Sequence, residues 1–155
     1  MSDLPDLAAL EKAAALVHRT VPPTPQYCWP LLSRRVGAEL WVKHENHTPI
    51  GALKLRGGLV YLDDLKRREP GLKGVITATR GNHGQSIAYA ASRLGLAATL
   101  VVPFGNSVEK NRAMAAFGGT LVEHGHDFQA AYEHAMALAE RDRLHIVRTF
   151  HPKLL

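Results

Sequence analysis

Cysteine and long apolar segments are both scarce in this chain. Cys28 is the only cysteine among 155 residues, which excludes an internal disulfide and gives no sign of an oxidising compartment. The most apolar stretch, residues 87–102, is interrupted by Arg93 and Gly95 and is too short to span a bilayer. The first residues lack the basic and apolar regions of a secretory signal. We therefore expect a cytoplasmic protein without a membrane partner.

Several widespread nucleotide-binding and hydrolase motifs are also missing. No G-x-G-x-x-G follows a predicted strand, which argues against a dinucleotide site of the usual kind. No G-x-x-x-x-G-K-[ST] is present, which argues against a P-loop NTPase. The absence of G-x-S-x-G argues against a hydrolase nucleophile elbow.

The charge pattern does not favour nucleic acid, and the histidine pattern does not favour a metal. The net charge is +5, but the basic residues are scattered, and their densest run, 66–68, falls in the last turn of a predicted helix. Nine histidines are present, yet the groupings at 44–47 and 124–126 lack H-E-x-x-H spacing. We therefore expect no nucleic-acid partner and no metal site.

Short apolar strands alternate regularly with amphipathic helices in the later two thirds of the chain. Strands are predicted at 75–77, 98–102, 120–122 and 144–147, and helices at 81–94, 107–117 and 126–140. This alternation is typical of βαβ units. We therefore predict an α/β fold, with a parallel sheet and helices on both faces.

The earlier residues are less regular. They predict helices over 6–18 and 52–68, a short helix over 27–35, a strand over 39–43 and a polar loop over 44–51. The sequence stops just after a strand, where a doubly wound sheet would normally continue. We therefore expect it to be part of a longer protein.

The first candidate site residue is Lys54, in the first turn of a predicted helix and between two leucines. One interpretation is a surface lysine on an amphipathic helix, which is what most lysines are. The other is a reactive amine, because a lysine near a helix N-terminus and partly withdrawn from water has its charged form disfavoured. Such an amine can attack an aldehyde.

The second candidate is the segment 77–86, Thr-Ala-Thr-Arg-Gly-Asn-His-Gly-Gln-Ser, a strand-to-helix turn with two glycines. Backbone N–H groups at such a helix start can hold a carboxylate or a phosphate. The turn also lies at the carboxyl end of a strand, where open parallel sheets bind ligands. The alternative is that its glycines serve only the geometry of the turn.

Together these segments resemble the fold-type II pyridoxal-phosphate (PLP) enzymes, the tryptophan synthase β superfamily, and within it the threonine/serine dehydratase group. The family pattern Lys-x-Glu-Asn is matched from Lys43 to Asn46. Its Pro-Thr-Gly-Ser/Ala-Phe-Lys-x-Arg-Gly is matched by Thr-Pro-Ile-Gly-Ala-Leu-Lys-Leu-Arg-Gly, residues 48–57. Its Ser-x-Gly-Asn-His is matched by residues 79–83, and the resemblance extends from about Pro22 onward.

This resemblance implies the cofactor PLP and roles for particular residues. Lys54 would hold the cofactor covalently and shuttle the α-proton, and Asn82 would bond the ring hydroxyl. The substrate carboxylate would be held by the backbone of the turn and the Thr79 hydroxyl, a set made of Thr79, Arg80, Gly81, Asn82 and His83. The implied reaction is deamination of a β-hydroxy amino acid to a keto acid and ammonia, in an enzyme expected to be a homo-oligomer at full length.

Two residues depart from the family pattern, and one feature bears on the sub-family. Leu53 replaces the usual Phe, which would remove an aromatic contact near the cofactor. Arg80 replaces a small residue, and we hypothesise that it favours a substrate with a second carboxylate, as in 3-hydroxyaspartate. Lys-Leu-Arg at 54–56, where cysteine and threonine synthases usually have Lys-Asp-Arg, favours elimination over β-replacement.

The resemblance also implies a domain division and missing parts. Residues 1–58 would be the N-terminal leg of the large domain, 59–149 the small α/β domain, and 150–155 the start of a return to the large domain. The family's glycine-rich phosphate loop and its partner for the pyridine nitrogen would lie beyond Leu155. We therefore expect this chain alone to bind PLP poorly and to be inactive. The alternatives left open are a β-replacement enzyme and a non-catalytic half-protein.

Overall fold

The computed structural model describes residues 5–151 and 154. In chain order its strands are β1 (Gln26–Cys28), β2 (Trp41–Lys43), β3 (Gly74–Ala78), β4 (Ala97–Val102), β5 (Gly119–Glu123) and β6 (His145–Ile146). Its α-helices are α1 (Leu7–His18), α2 (Pro30–Val36), α3 (Lys54–Arg68), α4 (Asn82–Arg93), α5 (Val108–Ala116) and α6 (Phe128–Asp142). A 3-10 turn, Glu45–His47, lies between β2 and α3.

The larger sheet of the described residues is parallel, with four strands in the order β5-β4-β3-β6. Strand β3 is buried along its whole length, as expected of a parallel strand covered on both faces. The chain moves outward from β3 to β4 and β5 and then crosses back to form β6. The direction reverses between β3 and β6, and the carboxyl ends of two such strands form the usual ligand-binding crevice of an open α/β sheet.

Helices cover both faces of this sheet, which confirms the predicted α/β fold. Val75 of β3 packs in one core cluster with Leu62 of α3 and Ile87 of α4. The next residue, Ile76, packs on the opposite face with Ala135 of α6. Because successive side chains of a strand point to opposite faces, β3 joins the two halves of the core.

Strand β1 corrects one prediction. The short helix predicted over 27–35 is wrong at its start, because Tyr27 pairs with Val42 in an antiparallel ribbon and α2 begins only at Pro30. Proline fits the first position of a helix, where its missing N–H costs nothing. The ribbon depends on pairing between distant residues, which local patterns do not reveal.

The other elements lie close to their predicted positions. Helix α3 begins at Lys54, and the strands β3 to β6 lie within one residue of the predicted bounds. Helices α1, α5 and α6 begin at side-chain caps, as when Asp127 accepts the backbone N–H of Ala130 at 2.8 Å. Across residues 5–151 and 154, no helix is both long enough and apolar enough to cross a membrane.

Candidate active site

The crevice between β3 and β6 is lined by the segments that follow these two strands. The turn after β3 begins at Thr79, whose backbone N–H donates to Val101 O at 2.9 Å. The segment after β6 is tied to the same edge, because Thr149 Oγ1 donates to Ala78 O at 3.3 Å. The two strands at the topological switch point are thereby linked at their carboxyl ends.

Thr79 gives the turn its shape. Its side chain is buried, and Oγ1 accepts the backbone N–H groups of Gly81 at 3.1 Å and Gly84 at 3.0 Å. A Cβ added at Gly84 would collide with the Thr79 side chain and with Met114 Sδ. Two accepted hydrogen bonds leave the Thr79 hydroxyl its own proton as a donor.

The start of α4 offers unpaired backbone donors. Within the described ranges, the N–H groups of Asn82 and His83 have no protein acceptor, as is usual for the first turn of a helix. The Gly81 N–H already donates to Thr79. An anion at this turn would therefore meet Asn82 and His83, with the positive end of the helix dipole behind them.

Lys54 is held beside this turn by close packing of α3 against α4. Its carbonyl oxygen accepts the Ser86 hydroxyl at 2.8 Å. One turn later, Gly58 approaches Ser86 so closely that an added Cβ would collide with Ser86 Oγ. The half-buried Lys54 side chain places Nζ 5.9 Å from the ring centroid of Phe150, on the segment after β6. The preceding residue, Leu53, is exposed.

The His83 side chain faces the sheet instead of solvent. It is 7% exposed, and its Nε2 lies 3.0 Å from Thr77 Oγ1 on β3. Burial, with a further contribution from the charge of Lys54, lowers the pKa of His83 to about 4, against a raising effect of a backbone hydrogen bond to Val147. The imidazole is therefore neutral at pH 7, and only the backbone of His83 is available to the turn.

Asn82 and Arg80 are the exposed members of the predicted site. The Asn82 carboxamide has no hydrogen-bond partner among the residues that the structure describes. The positive charge of Arg80 acts electrostatically on Asp127, the N-cap residue of α6. Backbone hydrogen bonding from Ala130 is the main cause that lowers the pKa of Asp127, and Arg80 adds a smaller effect.

A half-buried ion pair beside Lys54 was not identified from the sequence. Arg56 binds Glu45 through two contacts, Nε to Oε2 at 2.8 Å and Nη2 to Oε1 at 3.0 Å. Glu45 also accepts the Thr24 hydroxyl at 2.6 Å, and Lys43 Nζ lies 3.9 Å from it. Hydrogen bonding to Arg56 is the main reason that the pKa of Glu45 is lowered. Glu45 and Arg56 both belong to the matched motifs, and this match was the signal in the sequence that could have indicated the ion pair.

The donor set at the crevice fits one end of PLP. A half-buried amine, an exposed carboxamide and free backbone donors lie around one turn, and they match an aldehyde, a ring hydroxyl and a carboxylate in chemistry. By contrast, no group of three or more His, Cys, Asp or Glu that could hold a metal occurs among residues 5–151 and 154.

Comparison with protein families and sequences gives concordant matches. The family model for the pyridoxal-phosphate dependent enzymes matches residues 17–154. The biosynthetic L-threonine dehydratase of Haemophilus influenzae is 32% identical over 148 residues, 95% of this chain and 29% of that protein. The chloroplastic threonine dehydratase 2 of Solanum lycopersicum is 39% identical over 119 residues, 77% of this chain and 20% of that protein.

Solved structures match over nearly the whole chain. A pyridoxal 5'-phosphate-dependent aspartate racemase superposes with a TM-score of 0.90 at 28% identity, covering 97% of this chain and 49% of that one. The processed threonine deaminase isoform 2 of Solanum lycopersicum superposes with a TM-score of 0.82 at 32% identity, covering 99% and 46%. The chain thus spans about half the length of these structures and 20–29% of the two dehydratases.

Proposed function

Because this chain belongs to the family of pyridoxal-phosphate dependent enzymes, we propose that it is the lysine-bearing part of a threonine dehydratase-like ammonia-lyase. The reaction would convert a β-hydroxy amino acid of the threonine/serine or hydroxyaspartate type to a keto acid and ammonia. The observation that carries the proposal is the fixed position of Lys54 beside the turn at the start of α4. The dehydratase sequences that match the chain support elimination over β-replacement.

Each site residue has a part in this proposal. Lys54 holds the cofactor through its amine and moves the α-proton of the substrate. Asn82 bonds the ring hydroxyl, and the backbone from Thr79 to His83, with the Thr79 hydroxyl, holds the substrate carboxylate. When bound, PLP supplies an electron sink for the carbanion formed at the α-carbon. His83 takes part through its backbone, because its side chain faces β3.

A dicarboxylic substrate is a second candidate within this class. Arg80 is exposed at the turn, where a guanidinium can pair with a second carboxylate. One structural relative is an aspartate racemase, which is named for a dicarboxylic amino acid. In the full-length enzyme, Arg80→Ala should lower turnover of 3-hydroxyaspartate relative to threonine, and an unchanged ratio would remove this candidate.

The proposed domain division assigns residues 1–58 to the leg of a larger domain, 59–149 to the small domain and 150–155 to a return segment. Residues 152, 153 and 155 lie outside the described part of the chain. Support comes from the exposed apolar side chains of the segment that runs from β1 to β2, which are Tyr27, Trp29, Leu31, Leu32, Val36 and Trp41. Apolar surface of this kind marks a contact with further protein.

Three further properties belong to the same proposal. The full-length enzyme would be a homo-oligomer acting on a small amino acid, with neither nucleic acid nor membrane as a partner. The single cysteine supports a reducing compartment, the cytoplasm.

The test is keto-acid formation by the purified, PLP-loaded full-length protein from threonine, serine and 3-hydroxyaspartate. Lys54→Ala should lower the rate by about a thousandfold or more, because the proton-transfer group is removed. Lys73→Ala, an exposed lysine before β3, is the matched control. A new C–S bond as the product would favour the β-replacement alternative. No keto acid from any of the three substrates would favour the non-catalytic half-protein.

A further inference from the structure

A cleft lies between the start of α6 and the segment that follows β6. It is lined by Phe128, Gln129, Tyr132, Arg148, Thr149 and Phe150. Its volume is about 220 Å³, whereas a cavity of about 150 Å³ lined by apolar side chains is already large enough to bind benzene. The cleft therefore has room for a group of the size of a phenyl ring.

Two aromatic side chains of α6 form one wall of this cleft. Phe128 and Tyr132 lie one helical turn apart, and their rings are nearly parallel, with 6.3 Å between centroids and 15° between planes. Both are half-buried and pack against the core cluster that contains Ile76 and Ala135. The core thus holds this wall in place, and the wall offers flat apolar surface to a ligand.

Phe150 lies on the other side of the cleft and connects it to Lys54. Its side chain is 82% exposed, and the centroid of its ring lies 5.9 Å from Lys54 Nζ. The neighbouring Thr149 also lines the cleft, and it donates to Ala78 O at the end of β3. The cleft and the crevice beside the Lys54 amine therefore share Thr149 and Phe150.

The position of the cleft suits the side chain of a substrate that reacts at Lys54. A group on the β-carbon lies just beyond the reacting α-carbon, on the scale of the distance from the amine to the Phe150 ring. The methyl group of threonine would leave most of the cleft unfilled, and a carboxylate would lose water against its apolar walls. An aryl group fills the volume and can stack on the rings, and the guanidinium of Arg148 can lie on its face.

We propose that this cleft receives the β-substituent of the substrate, and that the preferred substrate is a β-aryl β-hydroxy amino acid, of which 3-phenylserine is the simplest. This inference rests on the proposed function and names its substrate class. The α C–H and β C–O bonds of 3-phenylserine break, and the α-proton and the hydroxide leave together as water. Hydrolysis of the resulting enamine then releases ammonia and phenylpyruvate, so that no oxidant or reductant is needed.

The first test compares kcat/KM of the full-length, PLP-loaded protein for 3-phenylserine, threonine and 3-hydroxyaspartate, each in its threo and erythro forms. We expect 3-phenylserine to be preferred over threonine by about tenfold or more, because the cleft removes the aryl group from water. A kcat/KM for threonine or 3-hydroxyaspartate that equals or exceeds that for 3-phenylserine would overturn the inference.

The second test changes the cleft while its effect is followed as the ratio of kcat/KM for 3-phenylserine to that for threonine. Gln129 is exposed, so Gln129→Trp should fill the cleft without disturbing the core, and the ratio should fall about tenfold or more. Tyr132→Ala should lower the ratio about 3- to 10-fold, whereas Tyr132→Phe, which keeps the ring, should retain it. Tyr27→Ala, in the ribbon, is the matched control. An unchanged ratio in Gln129→Trp and Tyr132→Ala would overturn the inference.

The third test measures binding without turnover. L-Phenylalanine and L-alanine differ by the phenyl group, and both lack the β-hydroxyl that elimination requires. Calorimetric titration of the same full-length protein should give about tenfold or more tighter binding of phenylalanine. Gln129→Trp should abolish this difference, and equal affinities in the wild type would contradict the inference.

The outcomes separate the two proposals. Keto acid from threonine, with no preference for 3-phenylserine and no tighter binding of phenylalanine, would mean that another part of the full-length protein fills the cleft. That result would overturn this inference and leave the lyase standing. A wild-type protein that forms no keto acid from any of these substrates, 3-phenylserine included, would overturn the proposed function itself.

Discussion

The junction of α3 with α4 and the ribbon of β1 and β2, with α2, differ in how far their apolar side chains are buried. At the junction, Leu55, Leu62 and Ile87 are fully buried and helices meet through small residues. In the ribbon, Tyr27 and Trp41 are more than half exposed, at 54% and 56%. The junction is a closely packed core that holds the backbone of Lys54 in place, whereas the ribbon leaves apolar side chains exposed, as the proposed domain division expects of a surface that contacts further protein.

The largest expected effect at the junction is loss of stability in acid through His83. Its folded pKa of about 4 lies below the ordinary 6.5, so the unfolded chain takes up the proton first. The contribution of His83 to the free energy of unfolding is therefore fully present above about pH 6.5. It is lost as the pH falls toward 4, by about 3 kcal/mol in all. Urea unfolding between pH 7.5 and 4.5 measures this loss.

The control for that experiment is a pair of variants. His83→Gln should flatten the acid side of the stability curve, although His134 and His145, whose pKa values are also lowered mainly by burial, retain a smaller slope. His18→Gln, at an exposed position, is the matched control for the change of residue type. Equal slopes in the wild type and His83→Gln would show that the imidazole is not buried in neutral form.

The next effect concerns the contact between Gly58 and Ser86. Gly58→Val should lower the free energy of unfolding by about 2 kcal/mol, because the added atoms collide with Ser86 Oγ. It should also lower activity by displacing Lys54. Gly71→Val, where an added Cβ meets nothing within 4 Å, is the matched control. Chemical denaturation showing equal stability in both variants would mean that the helices are not packed closely here.

A smaller effect is expected for the ion pair of Glu45 with Arg56. Glu45→Gln should cost about 1 kcal/mol, because the two side chains are only 19% and 26% exposed. Asp63→Asn removes a partner of the more exposed Arg67 and should cost less than about 0.5 kcal/mol. Thermal unfolding compares the two variants. Equal losses of stability would mean that the pair of Glu45 with Arg56 contributes no more than an exposed surface ion pair.

The smallest effect on stability is expected in the ribbon. Trp41→Ser should change the free energy of unfolding by less than about 0.5 kcal/mol, because the side chain is largely solvated. The same change should reduce self-association, followed by sedimentation velocity. A large loss of stability without any change in self-association would show that the Trp41 side chain is packed within the protein core.

Sequence patterns predicted the region from Gly74 to Ile146 well, because each of its elements has its own apolar period. They missed β1, since the pairing of Tyr27 with Val42 joins residues far apart in the chain. At the site, the motifs predicted Lys54 and the turn as the candidate residues. The direction of the His83 side chain and the approach of Lys110 to Gly81 depend on how the helices pack, which no local pattern contains.

The central claim, that Lys54 is the residue that holds PLP, has a direct chemical test. The purified full-length protein is treated with PLP and borohydride, and the modified peptides are mapped by mass spectrometry. We predict that the label is found on Lys54, beside the turn at the start of α4, and that Lys54→Ala loses it. Label spread over exposed lysines such as Lys73 in the wild type, with an unchanged amount in Lys54→Ala, would contradict the account.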